Sequence, residues 1–380
     1  MKKMSIVLLA LLLTLSLAAC GGDGGQQEAA SDDAAGAEDS TPYHIGFTLL
    51  GTDWVLNYMR TEAEYTVMTE NADNGWEYIS ADFSTDKMQS GVQSMLSSGI
   101  DGLIYSGIYT TLTSTIIEGC EAAGTAFVMS EFPPLDDQIE ELRASDQFVG
   151  YFGANVFGQG YQLGEIAARQ GGTVALTISG PIGDTSHDLR VAGFTAAFEE
   201  GGGKVVGNAH CNFPTEAIDK SSDLLAAHPD VDAVYGATGV HTLGMVNALK
   251  NHNRTDTVKV YCTELDSDLL PEVRAGRMIG DGGTAAEFVL ATTLLLNRLA
   301  GHPILDDDGK QPVSDEMLPL IVTAENADSF EKEFIDEHPF TEAMIKKFLW
   351  KYNKDVSWAD YQDFIDNYSL DRIIEQKNAS

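Results

Sequence analysis

From Tyr43 onward the sequence alternates short apolar runs with longer stretches of helical period, and this alternation constrains the fold more than any other feature. The runs at 44–49, 76–80, 102–105, 126–130, 148–151, 173–179, 204–208, 232–236, 258–262, 278–281 and 318–323 have the length of strands. Between them, Thr85 can cap a helix in which Met88, Val92, Met95 and Leu96 share one face, with Gly99 just past its end. Ser221 to Ala227 and Thr242 to Lys250 behave in the same way. Strand–helix alternation of this kind predicts an α/β fold with parallel sheets and helices on both faces. A stretch of roughly 340 residues exceeds one hydrophobic core, so two lobes are expected.

The N-terminus is of another kind. Lys2 and Lys3 precede an apolar run from Ile6 to Ala19, which has a signal peptide's length and is too short for a comfortable membrane span. Residues 21–42 lack aliphatic core formers and read as a flexible tether. Leu17-Ala18-Ala19-Cys20 resembles the lipobox of bacterial lipoproteins, which implies that Cys20 receives a lipid and becomes the mature N-terminus. The alternative is a free cysteine after an ordinary signal peptide; small residues directly before the cysteine favour lipidation. The implied location is the outer face of the cell membrane or the periplasm.

Formal charge is −35, which makes nucleic acid a poor partner and says nothing about a small ligand. Cys120, Cys211 and Cys262 are odd in number and contain no CxxC pair, so neither a disulfide framework nor a zinc site is indicated, although a bridge between Cys211 and Cys262 stays open. Asp306-Asp307-Asp308-Gly309 lacks the spacing of a calcium loop, and Gly180-Pro181-Ile182-Gly183 lacks a Walker lysine and the full dinucleotide fingerprint. No HExxH, GxSxG or compact His-carboxylate cluster appears, so no cofactor, metal or catalytic apparatus is expected.

In parallel α/β sheets ligands bind beyond the carboxyl ends of the strands. That rule directs attention to Asp53 and Trp54, Ser106 and Tyr109, Glu131 and Phe132, the stretch from Gly180 to Asp188, Phe213, Thr238 and His241, Glu264, and Thr284. Hydroxyls, carboxylates and aromatics dominate, the chemistry that binds a sugar's hydroxyls and packs its C–H face. For Trp54, Tyr109, Phe132 and Phe213 the alternative is ordinary packing, and for His241 a surface or capping role.

Several segments then resemble a known family. Residues 97–107, SSGIDGLIYSG, resemble the G-[VI]-D-G-[IL]-I element of type I periplasmic binding proteins, the ribose-binding and LacI-like sugar group. Residues 122–131, 154–168 and 228–249 are similar to further blocks of that family, and Arg190-Val191-Ala192-Gly193-Phe194 is similar to its R-x-x-G-F helix start. The resemblance covers about 44–325 and implies two α/β lobes joined by three crossings, near Ala154, near Thr284–Ala285 and near 318, closing by hinge bending on a ligand in the cleft. The implied division is a signal peptide over 1–19, lipidated Cys20 and tether over 20–42, lobe 1 over 43–154 plus 285–317, and lobe 2 over 155–284 plus 318–325. The remainder, 326–380, reads as a helical extension and is expected against the second lobe.

The resemblance implies an ABC-importer binding protein, monomeric, with a membrane permease as partner; a sensory subunit for a membrane receptor is the alternative. A LacI-type regulator would need a helix-turn-helix where the signal and tether stand. The family's ligand-binding residues are only partly present. Asp53 stands near an expected Asn, Glu131 at an expected Arg, Asp188 at a second expected Arg, Glu264 at an expected Asp, Thr238-Gly239 at an Asn-Asp pair, and Thr284 near a terminal Gln or Asp. Four acids facing one cleft would repel one another unless offset, so two ligand classes remain: a basic one such as an amino sugar, or a neutral polyol with some acids turned away.

Overall fold

The computed structural model describes residues 41–52, 54–283 and 285–379. The signal segment, Cys20, the tether through residue 40, Asp53 and Thr284 lie outside the described residues.

Twelve strands form two six-stranded sheets among the described residues. The strands are β1 His44–Leu49, β2 Gly75–Ser80, β3 Gly102–Ser106, β4 Ala126–Glu131, β5 Phe148–Ala154, β6 Val174–Ser179, β7 Lys204–His210, β8 Ala233–Gly236, β9 Lys259–Cys262, β10 Met278–Asp281, β11 Val313–Met317 and β12 Ile321–Val322. The first sheet has the order β11-β5-β4-β3-β1-β2 and the second β12-β10-β9-β8-β6-β7. All pairings are parallel except that of β12 with β10. The central strands β3 and β5 are buried along their whole length, whereas β2, at a sheet edge, is only half-buried. Continuous apolar runs are what a parallel sheet covered on both faces requires.

Ten helices accompany these strands: α1 Trp54–Glu70, α2 Thr85–Ser98, α3 Thr113–Ala123, α4 Asp136–Ala144, α5 Val156–Arg169, α6 Thr185–Glu200, α7 Ala217–Ala227, α8 Gly239–Asn251, α9 Leu270–Arg274 and α10 Ala286–Leu299. In α2 the cap is Ser84, one residue earlier than the sequence pattern suggests, and its hydroxyl accepts from the Lys87 N–H. Met88, Val92, Met95 and Leu96 are buried, and Gly99 ends the helix at φ 85°. Helices α5 and α6 pack closely because Gly160, Gly164 and Gly193 sit against backbone carbonyls, where a methyl group would collide.

The chain passes between the two sheets at 155, at 282–285 and at 318–320. Each passage leaves the carboxyl end of a strand, namely β5, β10 and β11. The passages are laced together: Asn155 N–H donates to the Met317 carbonyl at 3.0 Å, and Gly282 N–H to that of Leu320 at 2.7 Å. The carboxyl ends of both sheets therefore flank one bundle of connections.

The run expected at 318–323 is not a single strand. β11 lies earlier, in the first sheet, and only β12 belongs to the second. β11 escapes a hydrophobicity reading because Asp315 and Glu316 are exposed on an edge strand, where charge discourages further pairing.

The tail is helical, with α11 Ala327–Phe330 running into a π-helical turn, then α12 Glu342–Lys346, α13 Trp358–Asp366 and α14 Leu370–Ala379. Its expected place against the second lobe is corrected. α11 and the start of the π-helical turn stay with the second sheet's helices, through Arg274 to Asp328 at 2.7 Å and to Glu331. The rest covers α1, α10 and β5 of the first. Fully buried Tyr361 stacks on Phe152 with ring centroids 5.7 Å apart, and its hydroxyl lies 2.9 Å from Thr293 Oγ1. Asn297 Nδ2 donates to the Phe348 carbonyl at 2.8 Å and its Oδ1 accepts the Trp350 N–H at 2.7 Å. The physical reason is α10, buried from Ala286 through Asn297, since a helix apolar on all sides must be covered on all sides. Cys120, Cys211 and Cys262 are buried free thiols, so no bridge joins Cys211 to Cys262.

Candidate ligand site

At the first sheet, Ser106 and Glu131 end the neighbouring strands β3 and β4. The fully buried Ser106 hydroxyl donates to Glu131 Oε2 at 2.5 Å, and its N–H donates to Thr48 Oγ1 at 3.3 Å. Glu131 has a φ of 73°, a left-handed conformation unfavourable for a side chain of its kind. Backbone strain of this sort accumulates at functional positions. Tyr109 and Phe132 flank the pair, both half-buried, and burial raises the Tyr109 pKa. α1 starts at Trp54, whose side chain lies outside the described set.

At the second sheet the arrangement is polar and more buried. Arg190, on α6, points at the ends of β8 and β9: Nε donates to Gln159 Oε1 at 2.7 Å, Nη1 to the Ala237 carbonyl at 3.1 Å, and Nη2 to Glu264 Oε1 at 2.5 Å. Burial opposes the charge on Arg190, but Glu264 more than restores it, and the guanidinium pKa is raised. Glu264 is the counterpart of Glu131, just beyond β9, and it too is left-handed at φ 55°. Its N–H donates to Asp281 Oδ1 at 2.9 Å, which also accepts the Gly283 N–H at 3.0 Å. Asp281 is fully buried, its Oδ2 has no protein partner, and burial pushes its pKa up to about 6.

Two imidazoles complete this end. His241 Nδ1 lies 2.7 Å from Thr238 Oγ1, and Thr238 occupies the cap position of α8. His187 meets His241 edge-on, with ring centroids 5.6 Å apart. His187 Nδ1 accepts the Gly180 N–H at 3.0 Å, which assigns its proton to Nε2; Asp184 Oδ2 lies 3.2 Å from the same nitrogen. Burial, then Arg190, pushes the His187 pKa down to about 3, and burial lowers that of His241. Both rings are neutral at physiological pH.

The structure thus brings Ser106, Glu131, Tyr109 and Phe132 to one sheet's carboxyl end and Thr238, His241 and Glu264 to the other's. Asp188 is exposed on α6, and Phe213 is exposed beyond β7. His187 and Asp281 were not singled out from sequence. His187 lies inside the stretch from Gly180 to Asp188 that the strand-end rule selects, whereas Asp281 reads as the last residue of an apolar strand. Among the described residues no group of three His, Cys, Asp or Glu side chains is placed to hold a metal ion.

Comparison with known proteins agrees with this architecture. A family profile described as a periplasmic binding protein domain matches residues 53–286. The D-ribose/D-allose-binding protein of Pseudomonas aeruginosa is 27% identical over 225 residues, which is 57% of this chain and 69% of the relative. The ribose import binding protein of Bacillus subtilis is 26% identical over 178 residues, or 46% of this chain and 55% of that protein. Among solved structures, an ABC transporter solute-binding protein of Actinobacillus succinogenes with bound D-allose aligns with TM-score 0.65 at 21% identity, covering 76% of this chain and 99% of that one. One from Bacillus halodurans with bound myo-inositol aligns with TM-score 0.64 at 19% identity, covering 78% and 99%. The two-sheet fold, its laced crossings and a profile match over more than half the chain make this protein a member of the type I periplasmic binding protein family, the solute-binding and non-enzymatic components of sugar ABC transporters.

Proposed function

We propose that this chain is an exported lipoprotein, anchored through Cys20, that captures a neutral polyhydroxylated solute, a sugar or cyclic polyol, between the carboxyl ends of its two sheets and delivers it to an ABC importer. Ser106, Tyr109, Glu131 and Phe132 supply one wall. Thr238, His241, His187 and Glu264 supply the other. The boundaries near 155, 284 and 318 make these walls parts of two lobes hinged at the laced crossings.

The observation that carries the choice of a neutral ligand is the Arg190–Glu264 pair. An excess of acid in the cleft was the ground for a basic ligand, and Glu264 is already neutralised from within the protein. Asp188 is exposed and adds no buried charge. Neutral imidazoles at 187 and 241 offer hydrogen bonds without charge, which suits hydroxyl groups. The relatives are named for or solved with D-ribose, D-allose and myo-inositol, all of this class.

Thermal unfolding of the chain from Ser40 onward, with D-ribose, D-allose, myo-inositol, glucosamine and spermidine, tests the reading. A solute at about 100 times its Kd stabilises by about 2.7 kcal/mol. Stabilisation by neutral compounds supports the proposal, and stabilisation confined to glucosamine or spermidine refutes it.

A further inference from the structure

Four of the chain's 23 Lys and Arg, namely Lys346, Lys347, Lys351 and Lys354, fall within nine residues that contain no Asp or Glu. In a chain of formal charge −35, that density sets the stretch between α12 and α13 apart from an otherwise acidic surface. Two rings lie among these cations. Trp350 is half-buried, stacks on the exposed His302 ring with centroids 3.3 Å apart, and carries Lys354 Nζ 3.5 Å from its own centroid. Tyr352 is 47% exposed, although its hydroxyl donates to the Glu70 carbonyl at 2.9 Å. Lys346 and Lys351 approach the Tyr352 ring to 5.2 and 5.6 Å, within reach of its face. Two of the four charges are neutralised within the fold, Lys346 by Glu342 at 2.7 Å and Lys351 by Glu70 at 3.0 Å. Lys347 and Lys354 are exposed and have no carboxylate partner among the described residues.

This stretch lies where the chain enters the fold. Tyr43, directly before β1, donates its N–H to Asn74 Oδ1 at 2.8 Å, and Asn74 Nδ2 donates to Glu70 Oε2 at 2.8 Å. Lys351 Nζ donates to the other oxygen, Glu70 Oε1, at 3.0 Å. Three hydrogen bonds thus connect the point of entry to the lysines. The junction sits at the amino end of β1 and the last turn of α1, opposite the carboxyl ends that carry the candidate ligand site. Everything before Thr41, Cys20 included, is joined to the domain at this face. An anchor at Cys20 therefore holds the face that carries the lysines.

We propose that Lys347 and Lys354, with Trp350 and Tyr352 between them, form a contact surface for anionic phospholipid headgroups, on which the anchored protein rests with the first sheet's carboxyl ends turned away from the bilayer. The proposal rests on the lipoprotein reading above. Lysines are drawn to the negative surface of a bilayer, and Trp and Tyr favour the headgroup layer, which suits both an apolar ring and its polar edge. The acidic remainder of the chain is repelled by the same surface, so electrostatics set the orientation as well as the contact. Two free lysines suffice because the anchor makes the contact intramolecular. An acidic protein partner would satisfy the same charges, but the position beside the tether's point of entry favours lipid.

The test is lysine footprinting of the chain from Cys20 onward, coupled through that thiol to a maleimide phospholipid; Cys120, Cys211 and Cys262 are buried and do not compete. The vesicles contain phosphatidylcholine alone or with phosphatidylglycerol as about a third of the lipid. N-hydroxysuccinimidyl acetate acylates exposed lysines, and peptide mass analysis reads the rate at each one. On anionic vesicles Lys347 and Lys354 are expected to react at least about threefold more slowly than on neutral ones, while Lys204, exposed on the second sheet, is unchanged. About 0.5 M sodium chloride, which screens charges more than a few ångströms apart, is expected to restore the rates. Equal rates at Lys347 and Lys354 on both vesicles overturn the proposal and leave the patch to a protein partner. Because coupling supplies the anchor chemically, that result leaves the lipoprotein reading intact. A Cys20 peptide from the native protein that carries no diacylglyceryl group refutes that reading, and the proposal falls with it.

Discussion

Arg190 Nη2 donates to Glu264 Oε1 at 2.5 Å inside the second sheet's carboxyl end, tying helix α6 to the loop after β9. The guanidinium is almost wholly buried, and Glu264 keeps only 19% of its side chain exposed. Arg190→Met leaves Glu264, with Asp281 behind it, as uncompensated buried charge, and losses of about 3–5 kcal/mol follow when one partner of such a pair is removed. Urea unfolding of the variant is expected to show a loss of that size. A change below about 1 kcal/mol would mean that the charges are solvated.

Asp281 makes stability depend on pH in a direction opposite to most carboxylates. Its pKa rises from 3.8 to about 6 because burial disfavours the charge. The folded state then holds the proton more tightly than the unfolded one, so stability is greatest below about 4 and falls as pH rises through 6. The groups facing it are Glu264, which raises the pKa further, and Arg190, which lowers it. Asp281→Asn keeps an acceptor for the Glu264 and Gly283 N–H groups and removes the charge. The variant is expected to match the parent at pH 4 and to exceed it at pH 7 by up to about 3 kcal/mol. Equal unfolding midpoints at both pH values would show that Asp281 titrates normally.

Glu131 should separate binding from stability. Its left-handed φ is unfavourable by roughly 1–2 kcal/mol for a residue with a Cβ. Glu131→Gly relieves that strain and removes a carboxylate proposed to face the ligand. Thermal unfolding is expected to be unchanged or higher, while the affinity for a neutral polyol falls at least tenfold. Lower stability with intact affinity would make Glu131 a structural residue.

The tail is part of the first half's core. Tyr361→Ala opens a cavity beneath Phe152 and Thr293 and is expected to destabilise by about 3–5 kcal/mol. Tyr361→Phe removes only the hydroxyl bonded to Thr293 and is expected to be unfavourable by about 1 kcal/mol. Calorimetric unfolding distinguishes the two variants. Equal, small effects would place the tail outside the cooperative unit.

How far the sequence foretold this molecule differs by region, for physical reasons. Strands buried on both faces announce themselves as apolar runs; ten of the twelve strands, including the half-buried edge strands β2 and β7, fall close to the positions read from the sequence. β11 does not, because an edge strand carries charge where a central one carries valine. The tail's helices were legible from their aromatics, but their partner was not, since amphipathic period gives a face without naming what it covers. The partner is set by α10, whose residues from Ala286 through Asn297 are buried on every side. At the site, Ser106, Glu131, Thr238, His241 and Glu264 follow from the rule that strand ends bind ligands. The Arg190–Glu264 pair, which favours the neutral of the two ligand classes left open, joins residues 74 positions apart and is written only in the fold.

Titration calorimetry of the unmodified protein with D-allose, D-ribose, myo-inositol and glucosamine, repeated with Thr238→Val, tests the central claim most directly. Saturable binding of a neutral compound, weakened at least tenfold when Thr238 can no longer hold His241, is the predicted result. Binding restricted to glucosamine, or neutral-sugar binding indifferent to Thr238, would contradict it.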